Sequence, residues 1–96
     1  MNDDVRPYIK LNIFGMDMLG LIDSGASITC LAGSAARNFL KMDIPYKCLK
    51  EFVTTAGGNK YHIAGFLNLN IEFRGMSKNI KLYIIPELKN DLYLGI

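Results

Sequence analysis

The chain has 96 residues, of which 50% are hydrophobic and 21% are charged, and its net charge is +2 at pH 7. This length predicts a single domain over residues 1–96, and the composition excludes an intrinsically disordered chain. No apolar run approaches the roughly 20 residues of a transmembrane helix, so we expect no membrane partner. Because the N-terminus lacks signal-peptide features and Cys30 and Cys48 are too few for a secreted disulfide scaffold, we expect a cytoplasmic protein with reduced, partly buried thiols.

Alternating apolar and polar residues indicate that most of the chain is β-structure. The predicted strands, in chain order, are Tyr8–Phe14, Met18–Ile22, Ser27–Leu31, Cys48–Thr54, Tyr61–Gly65, Phe66–Arg74 and Lys78–Ile85. Turns are predicted at Gly15-Met16-Asp17, Ala56-Gly57-Gly58-Asn59 and Gly75-Met76-Ser77. One short helix, Ala35–Lys41, is predicted to begin after Ser34 as its N-cap. The pattern therefore favours a small, barrel-like all-β domain with one short helix.

The segment from Gly20 to Ser27 carries the most informative chemistry. Asp23 follows an apolar strand, where burial would raise the pKa of its carboxyl group. The hydroxyl of Ser24 can hold the turn together, and Gly25 permits a tight backbone path. These are the parts of an aspartic-protease active-site loop, and the alternative is an ordinary Asp-Ser-Gly turn.

The motif within this segment is one of four that follow one another in a recognisable order. They are Arg6-Pro7-Tyr8-Ile9, Leu21-Ile22-Asp23-Ser24-Gly25-Ala26, Thr54–Gly58 with Tyr61–Gly65, and Asp91-Leu92-Tyr93-Leu94-Gly95-Ile96. Together they resemble the retropepsins, the single-domain aspartic proteases of retroviruses and long-terminal-repeat retrotransposons. The helix after the active-site strand is more like that of the gypsy-class retrotransposon proteases.

The resemblance implies an all-β, small closed barrel-like retropepsin fold with a flap hairpin and one short helix. It implies that Asp23, Ser24 and Gly25 are catalytic, and that the substrate is bound by Gly25, Ala26, Ser27, Ala56, Gly57 and Gly58. Ala26, Ile28 and Ile84 are expected in the side-chain pockets. No metal and no cofactor are implied. Family members continue past the Leu-Gly motif, so we expect either a chain trimmed after Ile96 or a dimer that uses other elements.

Peptide hydrolysis by this chemistry needs two carboxylates that share one proton. The chain has one Asp-Ser-Gly motif, so the second carboxylate must be Asp23 of another copy. We therefore expect a homodimeric aspartic endopeptidase that cleaves a polyprotein or another extended peptide in the cytoplasm, virus-like particles included. The alternative is a non-catalytic retropepsin-fold domain for dimerisation or peptide binding, of the domesticated retroelement or ubiquitin-linked shuttle type.

Competing chemistries have weaker support in the sequence. His62 is the one histidine, and we expect it to be a partly exposed strand residue. Two cysteines and one histidine lack paired zinc-ligand spacing, and Gly57-Gly58-Asn59-Lys60 lacks phosphate-loop spacing. The densest basic residues, Arg37, Lys41, Lys47 and Lys50, are expected to form a solvated face, so direct nucleic-acid binding is not expected.

Overall fold

A computed structural model describes residues 7–23, 28–54, 57–73 and 75–95 of the chain. Within these residues it has seven strands and one helix. In chain order they are β1 (Tyr8–Ile13), β2 (Met16–Asp23), β3 (Thr29–Ala32), α1 (Gly33–Leu40), β4 (Lys47–Thr54), β5 (Lys60–Phe73), β6 (Met76–Ile85) and β7 (Leu92–Gly95). The prediction of an all-β domain with one short helix is confirmed.

The strands form one sheet in the order β1-β2-β7-β3-β6-β5-β4, with β1 and β4 at its two ends. The sheet is open, so the prediction of a closed barrel is wrong. Closure would require β1 and β4 to pair. The alternation of half-buried and exposed residues found in β1 is not repeated in β4, which is mostly exposed. Strand β4 therefore has no continuous buried face along which the sheet could close.

The short strand β3 lies at the centre of the fold and is buried on both faces. Leu31 faces a helix-side core that also contains Ile13, Met18, Ala35, Ala36, Phe39, Leu82, Ile84 and Leu92. Cys30, the preceding residue, faces a smaller cluster with Ile63 and Ile85. Successive side chains of a strand point to opposite faces, so this one strand joins the two clusters. Burial on both faces also explains its continuous run of buried residues.

The turn between β1 and β2 differs from its prediction. It consists of Phe14 and Gly15, and Met16 and Asp17 already belong to β2. The φ angles of 55° at Phe14 and 80° at Gly15 are both positive, as in the two-residue turns that match the twist of antiparallel strands. A positive φ is unfavourable for phenylalanine. The ring of Phe14 lies 5.2 Å from that of Phe39, and this packing offsets the cost.

Where the sequence predicts two strands, Tyr61–Gly65 and Phe66–Arg74, the structure has one continuous strand, β5, which ends at Phe73. Arg74 lies outside the described residues. The first half of β5 pairs with β4 and its second half pairs with β6. Gly65 lies where the partners overlap, because it pairs with Cys48 on one side and Ile84 on the other. The two predicted segments thus meet at a change of partner within one strand.

Gly65 has no room for a side chain. A Cβ atom built on it would lie 2.6 Å from Cδ2 of Tyr46 and would also overlap the carbonyl oxygen of Lys47. We expect Gly65→Ala to lower the free energy of unfolding by about 1–3 kcal/mol or more, because backbone atoms must move. Urea unfolding would measure this, with Asn68→Ala, an exposed change in the same strand, as the control. Equal midpoints for the two variants would contradict the prediction.

Helix α1 begins at Gly33, and its N-cap is Ala32, which makes no side-chain cap bond. The prediction of Ser34 as N-cap is therefore wrong. The cap comes instead from Asp91, whose Oδ1 accepts from Oγ of Ser34 at 3.0 Å and from the backbone N–H of Ala35 at 3.3 Å. A carboxylate at this end also interacts favourably with the helix dipole. The cap lies in the segment before β7, so the tertiary fold supplies it.

The two cysteines are not joined by a disulfide bond. Cys30 is buried in β3, and Cys48 is exposed in β4, so neither is the partly buried thiol that was predicted. Among the residues that the structure describes, α1 is far too short to cross a bilayer, and no helix meets the length and hydropathy of a membrane span.

Candidate active site

Asp23 is the last residue of β2, one of the interior strands of the sheet. The strand pairs with β1 on one side and with β7 on the other. Leu21, two residues before Asp23, is fully buried. The apolar run of the sequence thus forms an interior strand that ends at the aspartate. Of the residues predicted to be catalytic, Asp23 lies within the described part of the chain, and Ser24 and Gly25 lie outside it, as do Ala26 and Ser27.

The late Leu-Gly motif lies directly beside Asp23. Leu92–Gly95 forms β7, which runs parallel to β2 with Asp23 opposite Gly95. The same strand pairs antiparallel with β3 on its other side. Two segments that are far apart in the sequence therefore meet at the end of β2, and the pairing of β7 fixes the position of the Asp23 backbone. The sequence indicated this motif but did not predict a strand there.

Both ends of β7 are held to neighbouring elements. At its start, the backbone N–H of Ala32 donates to the carbonyl oxygen of Asp91 at 2.8 Å. At its end, the backbone N–H of Gly95 donates to Oγ1 of Thr29 at 3.1 Å. The sequence reasoning missed Thr29. The sequence feature that could have indicated it is a hydroxyl residue in an otherwise apolar strand, four positions before the helix.

The predicted flap corresponds to the hairpin formed by β4 and β5. Gly57 and Gly58 are exposed at its tip, and Gly58 has a φ of 85°. Ala56, the third predicted flap-tip residue, lies outside the described residues. In the sheet order, β7, β3 and β6 separate β2 from β5. The hairpin and Asp23 therefore belong to different ends of the same sheet.

Strand β5 of this hairpin is attached, near the tip, to the segment after β6. Oε1 of Glu87 accepts from the backbone N–H of His62 at 2.9 Å, before β5 reaches its pairing with β6. His62 is exposed, as predicted, and its ring meets that of Phe52 edge-on at 5.2 Å. The Glu87 carboxylate thus accepts a hydrogen bond from a backbone N–H for which no neighbouring strand supplies an acceptor at this position.

The two described residues that were expected to line side-chain pockets lie on opposite faces of the sheet. Ile84 is fully buried in the helix-side core, so its assignment to a pocket is wrong. Ile28 packs against the cluster of Cys30, Ile63 and Ile85 on the other face. Side chains alternate along β6, so the neighbouring Ile85, rather than Ile84, shares the face of Ile28. The sequence pattern did not show which face of β6 carries the helix.

In the described part of the chain, no group of three or more His, Cys, Asp or Glu side chains could hold a metal ion. The basic residues Arg37, Lys41, Lys47 and Lys50 are exposed, and Arg37 donates from Nη1 to the carbonyl oxygen of Pro86 at 3.2 Å.

Comparison with known proteins gives structural matches at low sequence identity. No family model and no curated protein sequence matches the chain. The EIAV protease complexed with the inhibitor HBY-793 matches with a TM-score of 0.73 and 20% identity, over 99% of this chain and 86% of that one. The retroviral protease-like domain of Ddi1 from Leishmania major matches with a TM-score of 0.70 and 19% identity, over 97% and 74% of the two chains.

A third solved structure, the Simian Foamy Virus (mac) protease, matches with a TM-score of 0.51 and 20% identity, over 93% of this chain and 87% of that one. The arrangement of seven strands and one short helix in this chain matches the fold of these proteins. The order of motifs along the sequence and the matches over nearly the whole chain agree on one architecture. The chain therefore has a retropepsin-like fold.

Proposed function

We propose that this chain is an aspartic endopeptidase that cleaves a polyprotein or another extended peptide as a homodimer. One observation carries the proposal. Asp23, the first residue of the Asp-Ser-Gly-Ala motif, ends an interior strand in register with Gly95, within a retropepsin-like fold. A carboxylate at this place in the chain is the group that the proposed chemistry requires.

The mechanism uses Asp23 from each of two copies. Two carboxylates held close together share one proton, because both cannot ionise readily. The ionised carboxylate takes a proton from a water molecule, whose oxygen attacks the peptide carbonyl carbon. The protonated carboxyl donates its proton to the carbonyl oxygen, which gives a tetrahedral diol. The carboxyl that took the proton from water then donates it to the peptide nitrogen as the C–N bond breaks, and the other carboxylate takes a proton from the diol, so the pair again holds one proton. Ser24 and Gly25 would hold the loop, and no cofactor takes part.

The proposed substrate is an extended peptide that adds to the site as a strand. Gly25, Ala26 and Ser27 would bind its main chain from below, and the tip of the β4–β5 hairpin, with Ala56, Gly57 and Gly58, would close over it. The exposed glycines of that tip support this role. We propose a cytoplasmic location, virus-like particles included, with neither a membrane nor a nucleic acid as a direct partner.

A second candidate is a non-catalytic domain of the same fold, used for dimerisation or peptide binding. The match to the retroviral protease-like domain of Ddi1, which covers 97% of this chain, is compatible with this candidate. In this case Asp23 would be retained without a catalytic dyad. The two candidates differ in whether pure protein cleaves peptides.

Concentration dependence of cleavage separates the candidates. We expect the wild-type chain to cleave a diverse peptide mixture at a pH of about 5, where a carboxylate pair holds one shared proton. Below the dissociation constant of the dimer, the rate should rise with the square of the protein concentration, because each site needs two chains. A linear rise at concentrations where sedimentation shows the chain to be mostly monomeric would contradict the homodimer. Absence of cleavage at every concentration would favour the second candidate.

A further inference from the structure

Thr29 is a buried polar residue at the start of β3. It is 8% exposed, and among the residues whose side chains the structure describes it is the one buried residue with a polar or charged side chain. A hydroxyl buried without a hydrogen-bond partner is costly. The bond from the Gly95 N–H to Oγ1 of Thr29 supplies a partner. The position of the threonine is thus tied to the end of β7.

The register of β3 and β7 explains why this bond uses a side chain. Ala32 donates its N–H to Asp91, and Cys30 is opposite Tyr93. Bonded pairs alternate along an antiparallel ladder, so the next bonded pair would join Gly95 to residue 28. However, β3 begins at Thr29. The Thr29 hydroxyl accepts the Gly95 N–H at the point where the backbone ladder ends.

Gly95 connects this bond to Asp23. The two residues are opposite each other in the parallel pairing of β2 and β7. The N–H of Ile22 points toward β1, where it donates to the carbonyl oxygen of Pro7 at 2.9 Å. Because successive N–H groups of a strand point to opposite sides, the N–H of Asp23 faces β7. Strand β7 is therefore held by Thr29 on one side and faces the Asp23 backbone on the other.

We propose that Thr29 is a positioning residue of the protease: its hydroxyl fixes Gly95, and through the β2–β7 register it fixes the backbone of Asp23. The inference rests on the proposed function and extends it to a residue outside the Asp-Ser-Gly-Ala motif. Two carboxylates that share a proton tolerate little displacement, and a misplacement of about 1 Å can cost roughly 100-fold in rate. The Thr29 hydroxyl, which accepts from the last residue of β7, can therefore control kcat.

The test compares Thr29→Val, which keeps the shape and removes the hydroxyl, with Thr29→Ser, which keeps the hydroxyl. Ile13→Val, which removes one methylene group from the helix-side core, controls for general destabilisation. Amide hydrogen exchange is measured by NMR at Gly95 and Asp23, with Leu31 and Leu82 as reporters of the intact fold. Peptide cleavage is measured in parallel to obtain kcat, KM and the pH profile.

We expect Thr29→Val to speed exchange at Gly95 and Asp23 alone, to lower kcat about tenfold or more with KM little changed, and to shift the pH profile. Thr29→Ser should leave amide exchange, kcat and the pH profile near their wild-type values. Unchanged exchange at Asp23, or loss of protection at Leu31 and Leu82 as well, would overturn the positioning role. Absence of cleavage by the wild-type chain would instead overturn the proposed function, and exchange at Asp23 would still decide whether Thr29 holds its backbone.

Discussion

Asp23→Asn is expected to abolish peptide cleavage, with a loss in kcat of at least about 100-fold and up to about 10⁴-fold. The amide of asparagine is nearly the same size as the carboxylate, but it can neither take a proton from water nor share one with its partner. The backbone pairing between residue 23 and Gly95 does not depend on the side chain. The variant should therefore fold and dimerise, and its loss of activity would report on chemistry.

The matched control is Asp17→Asn, an exposed aspartate in the same strand that accepts a hydrogen bond from Asn12. The asparagine oxygen can still accept this bond, so activity should stay near that of the wild type. A mixing experiment adds a stronger criterion. Excess Asp23→Asn protein should inhibit the wild-type chain, because mixed dimers carry a single carboxylate. Cleavage that survives in pure Asp23→Asn would disprove the mechanism.

Phe39→Ala is expected to lower the free energy of unfolding by about 3–5 kcal/mol. Phe39 is fully buried in the helix-side core, and its ring lies 5.2 Å from Phe14 and 5.7 Å from Tyr46. Its removal would leave a cavity that joins the helix, the β1–β2 turn and the segment before β4. Small domains are stable by only about 5–15 kcal/mol, so the variant should be marginally folded at room temperature.

Leu40→Ala is the control for this change, because Leu40 is the next residue of the helix and is 36% exposed. We expect its effect to be well under that of Phe39→Ala, since less apolar surface is buried there. Urea unfolding at one fixed protein concentration measures both, because dimerisation would otherwise change the apparent stability. Equal losses for the two variants would show that the core is not packed around Phe39.

Several strands could be read from the sequence because each has its own hydrophobic pattern. The predicted β1 and β4 segments agree with the structure within one residue at each end, and the predicted Lys78–Ile85 lies within β6. The alternation of apolar and polar residues predicted two strands where β5 is one, because this strand changes partner at Gly65. The same alternation predicted no strand for β7, which is too short to show a pattern.

For the candidate site, the sequence identified the aspartate and the late Leu-Gly motif but not how they meet. Their pairing joins strands from opposite ends of the chain, and no local signal encodes such a partner choice. The Asp91 cap of the helix and the bond between Thr29 and Gly95 were missed for the same reason. Each joins residues that are distant in the sequence and become neighbours when β7 inserts between β2 and β3.

The sequence by itself determined the class of the fold, the strand that ends at Asp23 and the need for a second carboxylate in the proposed chemistry. These depend on local hydrophobic periodicity and on the number of Asp-Ser-Gly motifs. Only the tertiary structure decided that the sheet is open, that Ile84 belongs to the helix-side core, and that Thr29 holds the end of β7. Those features depend on which strands pair and which faces they bury, and long-range packing sets both.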